Sequence, residues 1–123
     1  MQALQGSMEH LCWLQSLSLD DIGSMTAQPQ WVGDLISLQR LYIWNCSNLN
    51  ELTQTMGRLA SLQELTISDC RNLNKLPQSI GRLSSLRELA ITDCNSLMSL
   101  PESVLKLKLE KLKIRTKDFF INV

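Results

Sequence analysis

Four stretches of this chain, 13–36, 37–60, 61–84 and 85–108, align one under another at a spacing of 24 residues. Leu14, Leu38, Leu62 and Leu86 fall in one column, and Leu17, Leu41, Leu65 and Leu89 in the next. Leu19, Ile43, Ile67 and Ile91 form a third. A fixed period with apolar residues locked in place means one structural unit stacked on copies of itself. A partial coil, 1–12, precedes the four, with Leu4, Met8 and Leu11 in register. Another, 109–123, follows after a one-residue deletion, with Leu109, Leu112 and Ile114 in register. The whole chain, 1–123, reads as one domain.

The third stretch, SLQELTISDCRNLNKLPQSIGRLS, shows what each unit builds. Leu65 to Ile67 alternates as a short strand does. Cys70, Leu73 and Leu76 turn inward after it, with the turn-formers Asn72 and Asn74 between. Pro77 breaks regular structure, Gly81 permits a tight turn, and Ile80 and Leu83 return the chain to the core. Cys46, Cys70 and Cys94 share a column, and Cys12 stands apart. They lack the close pairs of a zinc site, so they predict a structural ladder of buried thiols.

The pattern L-x-x-L-x-I-x-x-C-x-x-L-x-x-L-P-x-x-I-G-x-L resembles a leucine-rich repeat. The phrases LTISDCRNLNKLPQSIGRLSSL and LAITDCNSLMSLPESV are similar to the repeats of plant intracellular disease-resistance receptors, the nucleotide-binding, leucine-rich-repeat type. The L-x-G-x-I-P signature of the plant extracellular subtype is absent. The resemblance implies an α/β leucine-rich-repeat solenoid. That fold is a curved right-handed superhelix with a concave parallel β-sheet and an irregular, short-helical convex side. It also implies a cytoplasmic protein of innate immunity whose repeats sense pathogen effectors or hold the receptor off. ADP or ATP would bind a separate domain, since this chain has no phosphate loop of the G-x-x-x-x-G-K-[ST] kind.

Several positions depart from the pattern. Ile22 stands in the cysteine column, and Gln28 stands where Leu52, Leu76 and Leu100 are. Thr53 replaces the proline of Pro29, Pro77 and Pro101, and Leu105 replaces the glycine of Gly33, Gly57 and Gly81. Terminal coils of a solenoid need a polar cap. The tail 118–123, DFFINV, is apolar. It is expected either to fold over the last coil as a cap or to mark the raw end of a C-terminal fragment of a longer receptor.

The outward positions of the strands form four further columns. They are Ser16, Arg40, Glu64, Glu88, Lys111; then Ser18, Tyr42, Thr66, Ala90, Lys113; then Asp20, Trp44, Ser68, Thr92, Arg115; then Asp21, Asn45, Asp69, Asp93, Thr116. Arg40, Tyr42 and Trp44 lie on one coil, and these residue types dominate binding hot spots. The plain alternative is that neighbouring coils cover them. Glu64, Glu88, Asp69 and Asp93 make the middle coils acidic, while Lys111, Lys113 and Arg115 make the last strand basic. Such a gradient steers a charged partner or merely solvates the face. The predicted partner-binding set is Arg40, Tyr42, Trp44, Glu64, Thr66, Glu88, Lys113 and Arg115. The aspartates after the strands are expected to accept backbone N–H bonds in the turns. Trp31 is expected to pack on Pro29 at the outer surface, and Trp13 marks the irregular start.

Function classes narrow accordingly. The apolar fraction is 44% and the formal net charge is zero, which suits a folded domain and disfavours a nucleic-acid binder. No apolar run approaches the ~20 residues of a membrane span, and 1–10 is not a signal peptide. The one histidine, His10, has no catalytic company. No enzyme, metal site or cofactor is expected. A protein partner is expected, either an effector or another domain of the same receptor. The alternative is a free-standing scaffold that self-associates through uncapped ends as a homodimer, an outcome that open edge strands also favour.

Overall fold

A computed structural model describes residues 13–116 and 120–122. Leu4, Met8, His10, Leu11, Cys12, Asp118, Phe119 and Val123 lie outside the described residues. Five parallel strands stack in chain order: β1 (Ser16–Asp20), β2 (Arg40–Trp44), β3 (Glu64–Ser68), β4 (Glu88–Thr92) and β5 (Lys111–Arg115). A sixth, β6 (Phe120–Asn122), adds antiparallel to β5 and places Ile121 opposite Ile114. The tail thus extends the sheet beyond its last parallel strand. The register aligns each column as the repeat predicts: Leu41 meets Leu65, Leu65 meets Leu89 and Leu89 meets Leu112. The step from β4 to β5 absorbs the one-residue deletion.

Alternation decides which side each strand residue takes. In β3 and β4 the second and fourth residues are buried and the others only partly so. Across from the sheet, each coil carries a short 3₁₀ turn: Gln30–Asp34, Gln54–Arg58, Gln78–Arg82 and Glu102–Lys106. Among the described residues the helical side of the solenoid consists of these turns. Pro29, Pro77 and Pro101 precede three of them, with φ of −62°, −72° and −65°, the value a pyrrolidine ring imposes. The core is a continuous column of side chains with no exposure, including Leu38, Leu41, Ile43, Leu62, Leu65, Ile67 and Ile80. Burying each such side chain contributes about 1.5–3 kcal/mol. Trp31 is half-buried against this core.

The glycine column is needed for close approach between 3₁₀ turns. A Cβ on Gly81 would lie 2.6 Å from Cβ of Ser103, and one on Gly33 would lie 2.5 Å from the Thr55 carbonyl oxygen. Leu105 occupies this column in the last turn, where no further 3₁₀ turn is stacked among the described residues, and it is 86% exposed.

Two departures from the repeat compensate one another. Thr53 restores the amide that proline lacks, and that N–H donates to Oε1 of the buried Gln28, 3.0 Å away in the preceding coil. The Thr53 hydroxyl also accepts from the Thr55 amide and so caps the 3₁₀ turn. Thr53 has a φ of −75°, which proline can adopt. Gln28→Leu alone strands the Thr53 amide, and Thr53→Pro alone strands the Gln28 carbonyl. The double variant strands neither. A double-mutant cycle by urea unfolding should therefore show favourable coupling of about 1–2 kcal/mol. Additive single effects would contradict the pairing.

Candidate functional site

The outward face of the sheet is built by register. Arg40, Glu64, Glu88 and Lys111 stand side by side. The next row is Tyr42, Thr66, Ala90 and Lys113, and the third is Trp44, Ser68, Thr92 and Arg115. All eight predicted binding residues therefore lie on one face. Trp44 is 50% exposed, Tyr42 is half-buried, and Lys113 and Arg115 are exposed.

Glu64 organises the aromatic end. The Tyr42 hydroxyl donates to Glu64 Oε2 at 3.0 Å, and Arg40 Nε lies 3.8 Å from the same oxygen. Partial burial, then the hydrogen bond to this carboxylate, push the Tyr42 phenol above its ordinary value. It therefore stays protonated and donating at neutral pH. Lys111 Nζ approaches Glu88 Oε1 at 3.9 Å. The two glutamates, adjacent across β3 and β4, are thus each matched by a cation on the outer side. Of the other two acids of the middle coils, Asp69 is approached by Arg71 at 3.9 Å, and Asp93 has no ion pair among the described residues. Lys113 and Arg115 have no ion-pair partner among the described residues.

Some features of the face lie outside the predicted set. Arg87 and Glu110, one column before the strands, form a two-pronged ion pair with contacts of 2.8 and 3.1 Å. The column Gln63, Arg87, Glu110 is itself the signal, once the one-residue deletion is counted. The pair holds the Glu110 carboxyl below its ordinary value, chiefly through its hydrogen bond to Arg87. With Gln63, Glu64 and Glu88 it lines a shallow hollow of 160 Å³. Thr92 Oγ1 donates to Ser68 Oγ at 3.0 Å and ties the small residues of β3 and β4 together.

The turn after each strand works differently from the expectation. Asp21, Asn45, Asp69 and Asp93 take positive φ of 56°, 52°, 57° and 57°. Aspartate and asparagine tolerate this left-handed region better than other residues with a side chain. Their amides still reach the next coil, as Asp69 N–H does to the Thr92 carbonyl at 2.9 Å. Among the described residues, these four side chains accept no backbone N–H group, and the one side-chain bond between them runs from Asn45 Nδ2 to Asp21 Oδ1 at 3.5 Å. Amide ladders follow the column: Asn48 Nδ2 donates to the Gly23 carbonyl and Asn72 Nδ2 to that of Ser47.

Cys46, Cys70 and Cys94 are buried free thiols. Each donates to the carbonyl two residues back in its own coil: Cys46 to Trp44 at 3.4 Å, Cys70 to Ser68 at 3.6 Å and Cys94 to Thr92 at 3.5 Å. A second carbonyl from the preceding coil lies close to each. Burial pushes the Cys46 thiol up, and contact with the Cys94 thiol together with burial pushes Cys70 up. The same contact pushes the Cys94 thiol down, so thiolate formation is disfavoured at Cys46 and Cys70, while burial shields all three sulfurs from reagents. In a Cys12→Ser variant, all three should react with a thiol reagent on the order of a hundredfold more slowly in the folded protein than in denaturant. Equal rates would contradict the ladder.

Among the described residues, no His, Cys, Asp and Glu side chains group as a metal site, and no helix is long and apolar enough to cross a membrane. The geometry is that of an open face offering side chains to another surface. The comparisons agree with this class. The model of the R13L1/DRL21 leucine-rich repeats matches residues 2–70, and the general leucine-rich-repeat model matches 61–83. The chain belongs to the R13L1/DRL21 leucine-rich-repeat family. Its fold is similar to the leucine-rich repeat domain of the type III effector XCV3220 (XopL), at 27% identity and a TM-score of 0.67. That match covers 94% of this chain and 42% of the other. Comparison with curated proteins finds no match. Leucine-rich repeats serve as protein-interaction modules, and this chain is one.

Proposed function

We propose that the chain is a non-catalytic recognition segment of a plant cytoplasmic immune receptor. It contributes to effector sensing, to autoinhibition, or to both, through the concave face of the sheet. The carrying observation is the Arg40, Tyr42 and Trp44 triplet on β2, with Arg40 and Tyr42 held by Glu64 and Trp44 half exposed. A tyrosine already fixed by its hydrogen bond loses little side-chain freedom on binding. The phrases LTISDCRNLNKLPQSIGRLSSL and LAITDCNSLMSLPESV support the receptor assignment. The solved relative is an effector's repeat domain, so the shared coil supports recognition and not the receptor as such. Nucleotide would bind another domain of the full receptor.

The test is capture of a protein partner by the chain, followed by Trp44→Ala. The variant should keep its thermal midpoint and lose about 2 kcal/mol of binding, a typical hot-spot cost. Unchanged affinity would remove Trp44 from the surface.

One observation favours a second reading, a scaffold that self-associates through its end. Leu105 lines an apolar hollow of 230 Å³ with Val104, Leu107, Leu109 and Leu112. If the ends stack, light scattering should show a dimer that Leu105→Glu dissolves. A strict monomer at high concentration would contradict stacking.

A further inference from the structure

Between β2 and β5 the outward face forms a trough. One wall is Tyr42 and Trp44, and the other is Lys113 and Arg115. The floor is two strands of small residues, Thr66 with Ser68 and Ala90 with Thr92. Strands in a sheet lie about 4.8 Å apart, so the walls stand roughly 14 Å from each other. That width admits one extended segment lying between them.

Periodicity sets the chemistry of that segment. Tyr42 and Trp44 are two residues apart on one strand, and so are Lys113 and Arg115. Side chains two apart on an extended chain face the same way, about 6.7 Å from each other. A bound extended segment has the same spacing on each of its own two sides. One side meets two aromatic rings and the other meets two exposed cations without ion-pair partners among the described residues. We propose that the trough binds an extended peptide segment whose residues alternate, acidic toward Lys113 and Arg115, apolar toward Tyr42 and Trp44. This rests on the recognition reading and names the partner's chemistry.

The ends of the trough limit where acid fits. Glu64 and Glu88 border one end and Asp69 and Asp93 the other. Arg40 and Lys111 approach the two glutamates and Arg71 approaches Asp69, but these contacts are 3.8–3.9 Å long and water-screened, and Asp93 has no ion pair among the described residues, so both ends stay acidic. The favourable acidic positions are therefore the two facing Lys113 and Arg115. A single-stranded nucleic acid also combines stacking with negative charge. It carries charge past both acidic ends, which disfavours it here.

The experiment is fluorescence anisotropy with labelled synthetic peptides. One carries glutamate and leucine in alternation between Gly-Ser flanks. A second has the same composition with glutamates and leucines in separate blocks. A third has lysine for glutamate, and an oligouridylate serves as the polyanion. The alternating peptide should bind at least about tenfold more tightly than the block peptide, and the lysine peptide should not bind. Trp44→Ala, and Lys113→Glu with Arg115→Glu, should each weaken the alternating peptide about tenfold at an unchanged thermal midpoint. Equal binding of block and alternating peptides would overturn the proposal. So would no binding of the alternating peptide, tighter binding of oligouridylate, or indifference to both variants. A captured protein partner that ignores both variants would overturn the trough and leave the broader recognition reading standing.

Discussion

Each coil of this protein buries its leucines only when the next coil lies directly upon it. Leu41, Leu65 and Leu89 are covered because they stack in register, one per strand. The backbone ladder of the sheet, the thiol row and the asparagine bridges all require the same coil-to-coil distance. Gly33, Gly57 and Gly81 allow it on the far side, where any Cβ would meet the following turn. A stack of this type is held by neighbour contacts, so each coil's stability depends on the coils beside it.

The recognition surface follows from that constraint. Inward positions are committed to the core, which leaves every second strand residue free to vary. Variation along the free rows produces the aromatic wall on β2, the small-residue floor on β3 and β4, and the cations of β5. Glu64 ties Tyr42 and Arg40 in place before any partner arrives. Glu64 and Glu88 each have a flanking cation, whereas Lys113 and Arg115 have no ion-pair partner among the described residues.

The columns were legible because the period repeats four times, and a strand's alternation then sorts inward from outward residues. The pairing of Tyr42 with Thr66 and of Glu88 with Lys111 needed nothing more. Other features depend on contacts between unlike positions, which a column does not reveal. Gln28 and Thr53 look like two separate lapses until the amide of one is seen to meet the amide oxygen of the other. The aspartates after the strands look like acceptors, yet their value lies in tolerating positive φ. Leu105 looks like a degenerate glycine, but the crowding that requires glycine in earlier coils is missing from its side of the last turn. The contacts of Arg40 with Glu64 and of Lys111 with Glu88 depend on side-chain reach, which a column does not show.

Residue-resolved amide hydrogen exchange tests the dependence of coil on coil most directly. The account predicts the slowest exchange at the sheet amides of β2, β3 and β4, which have parallel strands on both sides. It predicts that these amides exchange together, with a common opening free energy, because neighbouring coils must part as a unit. Slowest exchange in the 3₁₀ turns, or independent opening of β3 and β4, would contradict it.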